Sequence, residues 1–171
     1  MTQDDIPELA LDLHRTGRGA VLATVLETWG SALRAAGSQM VVDGAGQMMG
    51  AVSGGCVEAA VVLEAAEALV EGRPRVLTCG VSDDDAFTVG LACGGRIRVL
   101  VEPVAHLNQA LAGLVAARAE GRAVALVTGL AGYDRALVAP GQERRLIGGC
   151  APTGRGSRTG GSSPSTTRPC G

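Results

Sequence analysis

Six residues, Ser53-Gly54-Gly55-Cys56-Val57-Glu58, hold the densest chemistry in the sequence. They join a hairpin-like run to a strongly amphipathic one, so the glycine pair falls where a backbone can approach a ligand closely and helix amides start out unpaired. Such amides, backed by the helix dipole, bind phosphate or another anion and favour a thiolate. Cys56, read as the first helical residue, is then expected to lose its proton below the ~8.5 of a free thiol and to act as a nucleophile or soft-metal ligand. A plainer reading is also open: Gly-Gly is a tight turn, Glu58 caps the helix and Cys56 packs as a small apolar side chain.

Two further loops carry chemistry of the same kind. In GLACGG, residues 90–95, Cys93 stands beside Gly94 and Gly95 ahead of a strand, and could face Cys56 across one crevice or simply fill a loop. In TWGSALRAAGS, residues 28–38, Arg34 is the one full charge between glycines. It could grip a phosphate or carboxylate through two nitrogens, or be solvated. Other motifs point elsewhere. GAGQMMG and GRGSRTG are one residue longer than the dinucleotide fingerprint and do not join a strand to a helix. Asp83, Asp84 and Asp85 follow Ser82 as acids in a first helical turn would, and His14 and His106 read as surface residues on helices. The five cysteines are scattered with no CxxC or CxxH pair, which argues against a disulfide framework or a structural zinc.

The elements that must position these loops alternate between the two periodicities. Ile6, Leu9, Ala10 and Leu13 share one face of a helix over 5–16, and 20–28 is a buried strand. Residues 38–43 and 46–53 make a hairpin about a Gly-Ala turn. Val57, Val61, Ala65, Ala68 and Leu69 form an apolar stripe with Glu64, Glu67 and Glu71 outside it, and Gly72 and Pro74 end that helix. Strands at 75–80 and 96–102, a helix at 106–120 and a strand at 122–128 complete an α/β fold: a mixed sheet with flanking helices and no complete Rossmann domain. Residues 9–30 match 111–132, and 39–55 are echoed by 135–149, so helix, strand and hairpin form an internal repeat. In the second copy the closing Gly pair leads into no helix, which leaves that copy incomplete.

Composition bounds the function. A chain of 171 residues offers room for one main domain, placed at 1–149, and an appendage. Residues 150–171 hold three arginines, no acid and no aliphatic larger than Ala151. Such a segment buries too little apolar surface to offset its ordering entropy and reads as a disordered tail, of the composition a reading-frame shift in a GC-rich gene would produce. Net charge −2 with three aromatics excludes a nucleic-acid footprint and base-stacking platforms. There is no apolar run of membrane-spanning length, and the acidic start MTQDDIPELA is unlike a signal peptide, so a cytoplasmic protein is expected.

Taken together, ATVLETWGSALRAAGSQM, GAVSGGCVEAAV and GLACGGRIRVLVEP resemble the XdhC/CoxI family of accessory proteins for molybdenum hydroxylases, over about residues 8–148. The resemblance implies a chaperone without turnover of its own. Such a protein binds molybdenum cofactor as cargo, as molybdopterin or its cytosine dinucleotide form, while a cysteine desulfurase supplies the sulfido ligand. It then delivers the cofactor to a xanthine dehydrogenase or CO dehydrogenase type apo-enzyme. The matching positions are Ser53, Gly54, Gly55, Cys56, Cys93, Gly94 and Gly95, with Arg34 for the phosphate and the thiols of Cys56 and Cys93 for molybdenum. Leu33 stands where the family often has Pro, and the C-terminal Rossmann-like domain of longer members is missing; the apolar surface left by the incomplete second copy favours a homodimer or a separate Rossmann-like partner. Two competing readings are a sulfurtransferase or thiol oxidoreductase using Cys56, and a truncated, non-functional family member.

Overall fold

The structure is a computed structural model and describes residues 5–30, 34–80, 95–142 and 167–169. Its elements run α1 (Ile6–Arg15), β1 (Ala20–Trp29), β2 (Gln39–Asp43), β3 (Met48–Gly50), α2 (Glu58–Glu71), β4 (Arg75–Gly80), β5 (Arg96–Pro103), α3 (Val104–Ala119), β6 (Ala125–Thr128), β7 (Arg135–Val138) and β8 (Thr167–Pro169). The chain divides into two compact units, residues 1–108 with 166–171, and residues 109–165. The expected α/β class with a mixed sheet holds. The three-Asp turn after Ser82 and the closing Gly pair at 148–149 lie outside the described residues.

In the first unit six strands form one sheet in the order β3-β2-β1-β5-β4-β8. Every neighbouring pair is antiparallel except β4 and β8. The two faces are filled by strand alternation. Val21, Ala23 and Val25 of β1, Met40 and Val42 of β2, Leu77 of β4, and Ile97, Val99 and Val101 of β5 pack against Val57, Val61, Ala65 and Ala68 at and within α2. The stripe read from the sequence is therefore the buried one. Leu22, Val41 and Leu100 are buried on the opposite face, where α1 lies on β1 and β2 and buries Ile6, Ala10, Leu11 and Leu13. Leu11 takes the place expected for Leu9, because the face α1 buries is turned by part of a residue step. Gly72 ends α2 in the left-handed conformation with φ 64°, and its carbonyl accepts a hydrogen bond from Nε2 of His106.

Thr167–Pro169 lie within the segment whose composition predicts disorder, yet pair parallel with β4 from Val76↔Thr167 to Thr78↔Pro169. Main-chain pairing to an open sheet edge needs no apolar side chain, so composition is blind to it. A second correction concerns Cys79, which is buried on β4 and disulfide-bonded, against the expectation that the cysteines form no such link. Scattered spacing does not prevent residues distant in sequence from meeting.

The second unit repeats the antiparallel pairing of the first. As β1 pairs with β2, so β6 pairs with β7, from Ala125↔Val138 to Thr128↔Arg135. Val127, Leu130 and Leu137 are each more than a third exposed.

Asp43 fixes the turn between β2 and β3. Its carboxylate is almost fully buried, accepts the amides of Ala45 and Gln47 at 2.9 Å each, and pairs with Arg18 at 2.6 Å. The Gln47 amide, helped by Ala45 and Arg18, outweighs burial and holds the acid below the usual carboxylate range. Because the folded-state value lies below the unfolded one of ~3.9, Asp43 contributes stability above that pH and loses it as the pH falls through its folded value. We therefore expect denaturant midpoints to drop below about pH 4. The drop should be shallower in Asp43→Asn; equal slopes in the two proteins would contradict this role.

Candidate functional site

The sheet topology sets where the described ends of the three loops meet the sheet. β1 ends at Trp29, β2 begins at Gln39 opposite Thr24, and β3 ends at Gly50 opposite Met40. On the other side of β1, β5 begins at Arg96 opposite Trp29, and β4 ends at Gly80 opposite the same Arg96. The segments 30–38, 51–57 and 81–95 thus all leave the sheet at the C-terminal end of β1. A bulge between Val25 and Glu27 lets β1 run on past β2. The 30–38 loop is drawn back by Val25, whose amide donates to Ser38 O and whose carbonyl accepts from Gly37 N.

For the 51–57 segment the decisive residue is Glu58, the first of α2. Its side chain is buried with 4% of the residue exposed, and its carboxylate accepts from Ser53 N at 2.7 Å, Ser53 Oγ at 2.6 Å and Gly55 N at 2.9 Å. Ser53 Oγ in turn accepts from Val57 N at 3.2 Å and Gly55 N at 3.3 Å, and lies 3.7 Å from Cys56 Sγ. Burial alone would raise the Glu58 acid, but these donors outweigh it and hold the group below the usual carboxylate range. The amides of Ser53, Gly55 and Val57 are therefore occupied by the chain's own oxygens. The expectation of open anion-binding amides fails for these three, because Glu58 at the first position of α2 already supplies the negative charge that a helix start favours.

Cys56 is a free thiol and exposed. It precedes Val57, the N-cap of α2, so it stands two residues before the helix rather than at its first position. Of the plainer reading, Glu58 closes the tight turn but does not cap the amides of α2, whose N-cap Val57 has no side-chain cap bond, and Cys56 is exposed rather than packed.

The remaining site residues are distributed as follows. Gly95 is half-buried just before β5, while Cys93 and Gly94 lie outside the described residues. Arg34 is exposed on the 30–38 loop, and Trp29, at 47% exposure, stands at the head of β1. Arg96, also exposed at this end, was not singled out from sequence; as the first residue of a strand it reads as ordinary, and only the pairing with Trp29 places it here. Glu27 and Arg98 form an ion pair at 3.3 Å one step further down. Among the described residues no group of three or more His, Cys, Asp and Glu is placed to hold a metal ion. An exposed sulfur is a soft donor, and Arg34 and Arg96 are exposed cations on segments that meet the same end of the sheet.

The chain is similar to several known proteins. A family model described as the XdhC and CoxI family matches residues 13–80. The chain is 40% identical over 109 residues to the Escherichia coli (strain K12) "Molybdenum cofactor insertion chaperone PaoD", which covers 64% of this chain and 34% of that protein. It is 36% identical over 88 residues to a Bacillus subtilis (strain 168) protein named as a probable component of xanthine dehydrogenase, covering 50% of this chain and 26% of the relative. The chain thus spans about a third or less of these relatives. A crystal structure titled a xanthine dehydrogenase from Bacillus halodurans superposes with a TM-score of 0.65 at 29% identity, over 78% of this chain and 42% of that one.

Proposed function

Because the chain belongs to the XdhC and CoxI family, we propose that it is an accessory factor, without turnover of its own, that binds molybdenum cofactor and hands it to a molybdenum hydroxylase. The observation that supports this reading is the exposed Cys56 thiol, on a segment that leaves the sheet toward the end where Trp29 of β1 pairs with Arg96 of β5. In this reading Cys56 and Cys93 offer thiols to molybdenum or its sulfur ligands, and Ser53, Gly54, Gly55, Gly94 and Gly95 shape the two loops. Arg34 meets the pterin phosphate, with Arg96 adding positive charge beside it. The cargo is molybdopterin or its cytosine dinucleotide form.

The reading extends to partners. A cytoplasmic cysteine desulfurase supplies the terminal sulfur while the cofactor is held, and the recipient is an apo-enzyme of the xanthine dehydrogenase or CO dehydrogenase type. Val127, Leu130 and Leu137, exposed on the second unit, offer an apolar surface to a second copy or to a separate Rossmann-like partner. Residues 1–149 act as the cofactor-handling part, and the bulk of the 150–171 tail takes no part in binding.

The test is retention. Purified protein mixed with molybdenum cofactor should carry it through gel filtration, and Cys56→Ser with Cys93→Ser should lower the retained amount by about tenfold or more, the loss of roughly one strong metal-ligand contact. Undiminished retention in the double variant would remove the site assignment. Catalytic turnover of a persulfide donor by the protein alone would favour a sulfurtransferase instead.

A further inference from the structure

We propose that Glu58 and Ser53 are positioning residues for Cys56: the buried carboxylate fills the amide donors of the 53–57 turn in place of a ligand anion, so the cargo meets this loop through sulfur and lodges its phosphate elsewhere. The inference rests on the cofactor-binding reading for the identity of the cargo, but its first half stands on geometry alone.

The sequence pattern of a Gly pair at a helix start is the one that elsewhere cradles phosphate. Here one carboxylate accepts Ser53 N, Ser53 Oγ and Gly55 N, and Ser53 Oγ takes Val57 N. A phosphate entering the turn would have to expel a carboxylate of which the residue exposes only 4%. The expelled group would then sit beside the new anion with no donor of its own, which is doubly unfavourable. What the arrangement does instead is tie three turn residues to one anchor on α2. Ser53 Oγ, fixed by its bond to Glu58, lies against Cys56 Sγ at 3.7 Å, so the anchoring reaches the thiol. Glu58 is buried and Cys56 is exposed, so the sulfur is open to solvent while the carboxylate that anchors the turn is not.

The experiment uses inorganic phosphate and acetate as probes, with amide resonances, amide hydrogen exchange and cofactor retention as readouts. In the unsubstituted protein, millimolar phosphate should leave the Ser53, Gly55 and Val57 resonances unmoved. In Glu58→Ala, the Ser53 and Gly55 amides should exchange about fivefold faster, the factor one lost hydrogen bond is worth, and cofactor retention should fall with them. Acetate, but not chloride, should restore both in the variant by reoccupying the vacated donors, and should change neither in the unsubstituted protein; a purely structural loss would not respond to a small carboxylate. If Glu58→Ala does not fold, Glu58→Gln keeps one acceptor oxygen and replaces the other, and should show the same losses in part. Saturable phosphate shifts at Ser53, Gly55 and Val57 in the unsubstituted protein would overturn the inference even if cofactor is retained. Failure of the unsubstituted protein to retain cofactor would sink the functional reading and leave the phosphate and acetate results standing.

Discussion

Gly50→Ala is expected to cost the first unit about 3–5 kcal/mol, the sum of a left-handed penalty and an overpacking penalty. Gly50 has φ +90°, and a Cβ there would lie 2.5 Å from the Gln39 carbonyl oxygen, 2.9 Å from Ile6 Cδ1 and 3.1 Å from Met40 Cα. The first and third of these contacts are backbone of the paired strand β2, which cannot retreat without breaking its ladder. The Ile6 methyl could rotate away, so it adds least. Since Gly50 is the last residue of β3 before the Ser53–Val57 turn, the damage should reach the site as well as the core. Chemical denaturation measures the first effect, and loss of hydrogen-exchange protection at Ser53 and Gly55 measures the second. A stability change under about 1 kcal/mol would mean that the β2–β3 pairing yields where it is described as tight.

Arg75→Ala should cost about 2–3 kcal/mol, less than a fully buried pair would, because Arg75 is buried but Glu67 and Glu71 are about half exposed and screened by water. The Arg75 side chain is 7% exposed, and its Nη1 pairs with Glu64 at 2.9 Å and Glu67 at 2.7 Å while Nη2 pairs with Glu71. The hydrogen bonds from Glu71 and Glu67, with Glu64, outweigh burial and raise the guanidinium above its ordinary value, so it stays charged at any working pH. Without it, three carboxylates remain on one flank of α2, and Glu64, at 15% exposure, is the one least able to turn to water. The deficit should narrow on acidification toward pH 4, where the glutamates take up protons. A deficit that does not depend on pH would point to lost packing of the Arg75 stem instead.

Much of the fold was legible before any coordinates. The stripe Val57, Val61, Ala65 and Ala68 is the buried face of α2, and Arg75–Gly80 is a strand with the bounds expected. Both follow from local periodicity, which acts over a few residues. The role of Glu64, Glu67 and Glu71 was less legible: they lie outside the apolar stripe as read, with Glu67 and Glu71 exposed, and they are also the partners of an arginine that enters the next strand. A helical wheel cannot show this, because Arg75 reaches them only after the chain has turned at Gly72.

The site divides in the same way. Sequence alone determined that Cys56 follows a glycine pair at the mouth of a helix, that Arg34 lies in a glycine-bounded loop, and which family these motifs resemble, since each is a matter of residue type and short spacing. Tertiary structure decided that the loops after β1 and β3 and the segment between β4 and β5 leave the sheet at one end, because that depends on strand order and direction. It also decided the fate of the turn's amides. Glu58 is five residues from Ser53, and whether its carboxylate turns inward onto the amides of the turn or faces solvent rests on how α2 packs against β1, β4 and β5. Burial makes an unpaired donor or acceptor expensive, so the packed chain satisfies its own groups first and leaves the Cys56 sulfur exposed.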